Sequence, residues 1–263
     1  MPTFDTPSPI QIRIDVSGGS LRVRAGDRAD TVVTVRPTNE RKAADVQAAG
    51  QTRVEYADGR LVVTSPRRPR LLFMGTMPSV DVELLAPVGS DLQAALTAAD
   101  VDSEGRLGVV RIDNRYGDIR IDRAATLHAR TSAGDITVAQ VDEDGELATS
   151  YGQIRVRDAS GALRLDSACG DITVERALGT VAATTKYGQV SVHQAGGGSL
   201  DLATSYGKVE AGIREGTPAW LDLEAASGKV RNLLTPSDAP DGSEEPLRIR
   251  ARTSYGDIVV RRA

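Results

Sequence analysis

The sequence predicts an all-β fold. It is a β-solenoid, β-helix-like, of about eight coils of roughly 18 residues over 107–263, with a β-rich N-terminal cap or layer over 1–106 that is continuous with it. Three observations carry this. A glycine returns at a near-constant interval through the second half. Apolar residues fall into columns on both sides of that glycine. The 263-residue chain has 26 glycines and only 3% aromatics, a composition that suits a thin β structure with many turns rather than a thick core.

The recurring glycines are Gly117, Gly134, Gly152, Gly170, Gly188, Gly207, Gly228 and Gly256, at spacings of 17, 18, 18, 18, 19, 21 and 28. They sit in near-copies of one phrase, "ATSYGQIRV", "ATSYGKVEA" and "RTSYGDIVV" among them. A catalytic or phosphate loop occurs once or twice, whereas a segment copied this often is an architectural unit. These glycines therefore read as structural corners, where a reversal needs the positive φ that glycine enters freely. A calcium loop is the sharper alternative. The next position, however, is Asp118, Asp135, Asp171 or Asp257 in some repeats and Gln153, Gln189, Lys208 or Lys229 in others, and a cation ladder does not accept lysines.

Two residues after each glycine stand Ile119, Ile136, Ile154, Ile172, Val190, Val209, Val230 and Ile258. Mostly polar residues follow them, and a second mostly apolar column stands four after the glycine. This period of two predicts a short strand. Mostly apolar residues seven and five before the glycine predict a second strand in each repeat. Two short strands cannot bury a face alone, but stacked about 4.8 Å apart they can. Five of the six tyrosines, Tyr116, Tyr151, Tyr187, Tyr206 and Tyr255, directly precede the glycine. Strand parity turns this column inward, so Tyr151 and Tyr187 are expected to be buried beside small residues of the next coil. If the corner opens outward, the column is instead an aromatic platform for a sugar or peptide.

The first hundred residues alternate without the period, as in "IQIRIDV", "TVVTVRP" and "SVDVELL". "NERKAADVQAAG", 39–50, predicts a helix with Asn39 as its N-cap. Two stretches break the pattern. "TPSDAPDGSEEP", 235–246, reads as a solvated loop before the last coil. "PRRPRLLFMGTMPS", 66–79, combines cations with large apolar side chains. There Arg67, Arg68, Arg70, Leu72, Phe73 and Met74 form a candidate partner-binding surface, with the covering of the solenoid's end as the structural alternative.

No motif carries chemistry. His128 and His193 fall on different faces, no zinc spacing exists, and neither a Walker loop, a dinucleotide fingerprint nor a nucleophile elbow appears. No catalytic, metal or cofactor residues are therefore assigned, and no cofactor is expected. Asp118 and Asp135 read as part of a surface charge ladder rather than an acid–base pair. A net charge of −4 argues against a general nucleic-acid partner. Cys169 is the single cysteine, so no intrachain disulfide forms, and no window is long and apolar enough for an integral membrane segment. The start lacks a secretory pattern, and the expectation is a cytoplasmic protein.

The repeated "TSxGDIxV", the ending "ARTSYGDIVVRRA", and the stretches "MPTFDTPSPIQIRIDV", "DRADTVVTVRP", "QTRVEYADGRLVV" and "GIREGTPAWLDLEAASGKVRN" resemble the bacterial β-strand-repeat proteins known as "putative adhesins". This is an uncharacterised-domain family frequent in actinobacteria, and the resemblance covers essentially the whole chain. It implies an all-β solenoid and supplies no catalytic residues. The expected function is a non-enzymatic scaffold or protein-interaction module, adhesin-like, bound to an unknown protein partner or to itself. A self-assembling filament and a carbohydrate-binding or carbohydrate-cleaving β-helix are the alternatives.

Overall fold

Apolar–polar alternation is realised as strand almost everywhere in the computed structural model, which describes residues 1–66, 77–234 and 246–263. The chain forms two compact units, 1–133 and 134–263.

The first unit holds strands β1 (Thr3–Asp5), β2 (Gln11–Gly26) and β3 (Asp30–Pro37), helix α1 (Ala43–Gln51), and strands β4 (Arg53–Ala57), β5 (Arg60–Thr64), β6 (Val80–Pro87), β7 (Asp91–Asp113) and β8 (Ile119–Ala133). Parallel stacking begins at β2, where the sequence shows no period. Its residues 11–15 pair with β5, 19–26 with β6, and 11–24 with β7. β7 in turn pairs parallel with β8, from Val101 opposite Ile119 to Asp113 opposite Arg130. The inward residues Ile12, Ile14, Leu21, Val23, Leu92 and Val101 are buried in this core. Antiparallel strands finish the unit: β3 on β6, β1 on β3, and β4 on β5.

Helix α1 starts at Ala43, four residues after the expected Asn39. Asn39 instead accepts the Arg41 N–H on Oδ1 at 3.0 Å, a local turn that competes with helical backbone bonding. Asp45 anchors the helix. Its buried Oδ1 accepts the Ser79 N–H at 3.0 Å and meets Lys42 Nζ at 3.0 Å. Burial pushes the Asp45 carboxyl up, but Lys42 and the Ser79 N–H outweigh it and hold the group below its usual value.

The second unit opens with β9 (Ile136–Val141) and continues as strand pairs, one pair per coil. These are β10 (Gly145–Tyr151) with β11 (Ile154–Ala159), β12 (Leu163–Cys169) with β13 (Ile172–Ala177), β14 (Val181–Tyr187) with β15 (Val190–Ala195), and β16 (Ser199–Tyr206) with β17 (Val209–Ile213). Then come β18 (Ala219–Ser227) with β19 (Val230–Asn232), and β20 (Leu247–Tyr255) with β21 (Ile258–Arg262). Every pairing within this unit is parallel, with glycine next to glycine along the stack. Ile136, Ile154, Ile172, Val190, Val209 and Ile258 make one continuous buried ladder.

The stacking order departs from the chain order. β20 pairs with β16 on one side and with β18 on the other, and β21 likewise lies between β17 and β19. The C-terminal coil is therefore inserted between the 199–213 coil and the 219–232 coil, and simple sequential stacking is corrected at this point. Side chains explain the order. β20 and β21 bring Leu247, Ile249, Ala251, Ile258 and Val260, all buried. The 219–232 coil carries Asn232 where the other coils have a small or branched apolar residue. A polar amide in an apolar layer costs roughly 1–3 kcal/mol when unpaired. At the end of the stack, Asn232 is exposed and accepts the Leu234 N–H on Oδ1 at 3.0 Å.

Candidate functional site

The corner after the first strand of each coil is built from three ladders. The first is the glycine column itself, with φ between 120° and 157°. Close approach is the stronger constraint. A Cβ on Gly170 would lie 1.9 Å from the carbonyl oxygen of Gly152, and one on Gly207 would lie 1.9 Å from that of Gly188.

The second ladder is a column of hydroxyls three residues before the glycine. Thr149, Ser167, Thr185, Thr204 and Thr253 donate to the carbonyls of Gly134, Gly152, Gly170, Gly188 and Gly207, each one coil away in the stack, at 2.9–3.3 Å. Each buried hydroxyl is thereby satisfied and tied to the next corner. In the sequence this column is the "T" of the repeated "TSYG".

Carboxylates form the third. Asp135, Asp171 and Asp257 accept on Oδ1 the backbone N–H of Gln153, Gln189 and Lys229 at 2.8–2.9 Å. In stacking order the column reads Asp135, Gln153, Asp171, Gln189, Lys208, Asp257, Lys229. Each carboxylate reaches the non-acidic rung that follows it, and no two acids of these seven are adjacent. Asp118, in the first unit, pairs with Arg120 at 2.9 Å. Among the described residues no group of His, Cys, Asp or Glu could hold a metal ion.

The tyrosines leave the corner outward, contrary to the parity expectation. Tyr151 is 66% exposed and Tyr187 56%. Parity fails because alternation stops at the hydroxyl ladder: Thr149 and Thr185 fill the inner corner, and the two residues after each are both exposed at the strand's end. With the last coil inserted, Tyr187, Tyr206 and Tyr255 become consecutive rungs. Their rings stack at 5.1 and 4.9 Å between centroids, with interplanar angles of 7° and 5°. The stack ends at Cys169 on one side and Ser227 on the other. Tyr151 sits opposite Cys169 and so has no ring above it on that side.

Ion pairs line the flanks. Glu210 meets Lys208 at 2.8 Å and Arg261 at 2.9 Å, and the Lys208 hydrogen bond is the largest influence holding its carboxyl below the usual range. Arg252 holds Asp222 at 2.6 Å and Glu224 at 3.1 Å, joining the inserted coil to the terminal one. Arg67, Arg68, Arg70, Leu72, Phe73 and Met74 lie outside the described residues.

Parallel in-register coils, a glycine corner and an all-β core define the protein as a β-solenoid. The pattern of the Toastrack DUF4097 family matches residues 10–261, and the chain belongs to that family. Among solved structures it is similar to a "putative adhesin" from Bacteroides fragilis, with 9% identity, a TM-score of 0.44, and coverage of 99% of this chain and 95% of that one. It is also similar to a "putative adhesin" from Parabacteroides distasonis, with 10% identity, a TM-score of 0.36, and coverage of 98% and 95%. A search of curated proteins finds none similar in sequence. No helix among the described residues is long and apolar enough to cross a membrane.

Proposed function

We propose that this solenoid is a non-enzymatic, adhesin-like interaction module that holds a protein partner against its tyrosine corner. The observation that carries this is the exposed stack of Tyr187, Tyr206 and Tyr255. Rings stacked about 5 Å apart cover one another's faces, so the surface offered is a row of ring edges and hydroxyls. Sugars stack on free faces, and here only the outer faces of Tyr187 and Tyr255 are free. Ring edges with a polar tip are what tyrosine contributes at protein interfaces. Stacking also fixes the side chains in advance, which lowers the ordering cost of binding.

Photo-crosslinking from position 206 in the source cells tests this, with position 155 on another outward column as control. The expected result is a discrete protein adduct at 206 that is absent at 155 and lost when Tyr187 and Tyr255 are changed to Ser. Tyrosine-dependent binding of neutral oligosaccharides with no protein adduct would favour the carbohydrate reading instead.

The terminal coil favours a second reading, self-association. Among the described residues β18 pairs only with β20 and β19 only with β21, and Trp220, Val230 and Leu233 are exposed beside that free edge. An unpaired, apolar strand edge is a template for a further strand. Sedimentation that shows a monomer up to high micromolar concentration would remove this reading.

A further inference from the structure

We infer that the first unit carries a second binding site, an arginine-lined groove on the outward face of β5, β2 and β7 that takes a compact hydroxylated oxyanion of the sugar-acid or sugar-phosphate class. The register brings its residues together. Arg60 lies opposite Gln11, Gln11 opposite Asp91, and Arg13 opposite Gln93. Arg111 enters from the next turn of β7. These six line a groove of about 230 Å³.

The charges there are unbalanced. Among the described residues, none of Arg13, Arg60 and Arg111 meets a carboxylate within ion-pair distance. Asp91 is the one acid lining the groove, and its Oδ1 is occupied by the Val109 N–H at 2.8 Å. Other arginines of the same unit are held by acids, as Arg24 is by Glu83 at 2.7 Å and Glu104 at 3.1 Å. Three guanidiniums against one engaged carboxylate leave a positive concavity, and Arg13 and Arg111 stand two rungs apart, roughly 10 Å on strand spacing, with the Gly108 N–H donating to the Ser90 carbonyl to set the second rung. An anion between them lies roughly 5 Å from each, inside the screening length of about 8 Å in physiological salt, so both charges act on it.

Guanidinium forks match carboxylate and phosphate geometry. The volume admits one compact group rather than an extended aromatic ligand. Gln93 presents an amide between the two unpaired arginines, and Gln11 accepts from Arg60 Nη2 at 3.2 Å, which holds that guanidinium at the rim. Amides beside cations suit a body that carries hydroxyls as well as the anionic group. Asp91, the one carboxylate there, is engaged by backbone, so the groove is assigned to binding.

Calorimetric titration of the full chain tests the proposal, using galacturonate, glucose 6-phosphate, galactose, inorganic phosphate and trigalacturonate. Galacturonate or glucose 6-phosphate should bind at least tenfold more tightly than galactose, and affinity should fall as salt rises. Arg13→Gln and Arg111→Gln should each weaken binding about tenfold, while Arg164→Gln in the second unit should not. Arg111→Lys, which keeps the charge and loses the fork, should lie between. Trigalacturonate binding far above the monomer points to a polymer as the source, and equal binding points to a free sugar. Equal affinity for galactose, an Arg13→Gln, Arg111→Gln double variant that melts and binds like wild type, or no binding by any anion would overturn the site. So would inorganic phosphate binding as tightly as glucose 6-phosphate, because the amides would then have no role.

Discussion

The inner coils and the 219–232 coil share one repeat, yet they differ in nearly everything that burial controls. In the coil of β12 and β13, Leu163, Leu165, Ile172 and Val174 are buried between neighbours on both sides. In the coil of β18 and β19, Leu221 and Leu223 are half-buried and Val230 is exposed. Position in the stack, rather than propensity, sets what each repeat contributes. A repeat protein's stability is approximately a sum of coil terms and interface terms, and the end coil has only one interface among the described residues.

The largest test of that difference is a buried charge. Ile154→Asp should destabilise by more than about 3 kcal/mol, since the carboxylate enters an apolar layer closed on both sides. Leu221→Asp, at the open end, should cost less than half of that. Chemical denaturation of the two variants measures this, and equal losses would erase the distinction.

The corner comes next. Gly170→Ala should cost more than about 2 kcal/mol, because the added methyl meets a backbone carbonyl that cannot move without shifting the next coil. Gly26→Ala, where a Cβ meets nothing within 4 Å, should stay within about 0.5 kcal/mol and serves as the reference.

Smaller effects sharpen the comparison further. Thr204→Val removes a donor from the Gly188 carbonyl and should cost about 1 kcal/mol. Ala225 occupies the same column in the end coil, where the hydroxyl is missing. Ala225→Thr should be neutral or slightly stabilising, by at most about 0.5 kcal/mol, and a large loss would mean that this coil is more tightly held than its exposure indicates.

The smallest expected effect is on pH. Asp45 has a folded value below its ordinary 3.8. Its contribution is therefore fully present above about pH 5 and is lost as the pH falls through the folded value. Melting temperature should drop less steeply in acid for Asp45→Asn than for wild type, although the variant starts lower at neutral pH.

Much of the fold was legible because a stacked coil writes one column per layer. Ile136, Ile154 and Ile172 could be aligned by their glycines alone, and a parallel in-register ladder follows from such a column. The tyrosines were misread for a local reason. Alternation assigns sides only while the chain is extended, and Tyr187 and Tyr206 stand where extension ends. The inserted coil is harder to see because adjacency in sequence does not fix adjacency in space. Its traces were there to read: 28 residues separate Gly228 from Gly256, Asn232 interrupts an apolar column, and placing Asp257 between Lys208 and Lys229 parts two adjacent lysines with an acid. The arginine groove had no such trace. Arg13, Arg60 and Arg111 are far apart in sequence, and only the parallel pairing of β2 with β5 and β7 gathers them.

The inserted last coil also imposes an order on biosynthesis. β18 leaves the ribosome before the strand it must pair with exists, and the free edge open to it is that of β16, its neighbour in sequence. Pairing there would copy the repeat's register and still be wrong by one layer. That decoy has to open, or never form, before residues 247–262 can enter the slot. The final rearrangement thus waits until residues 247–262 have been made, and a chain cut before Leu247 would have only the β16 edge to offer β18.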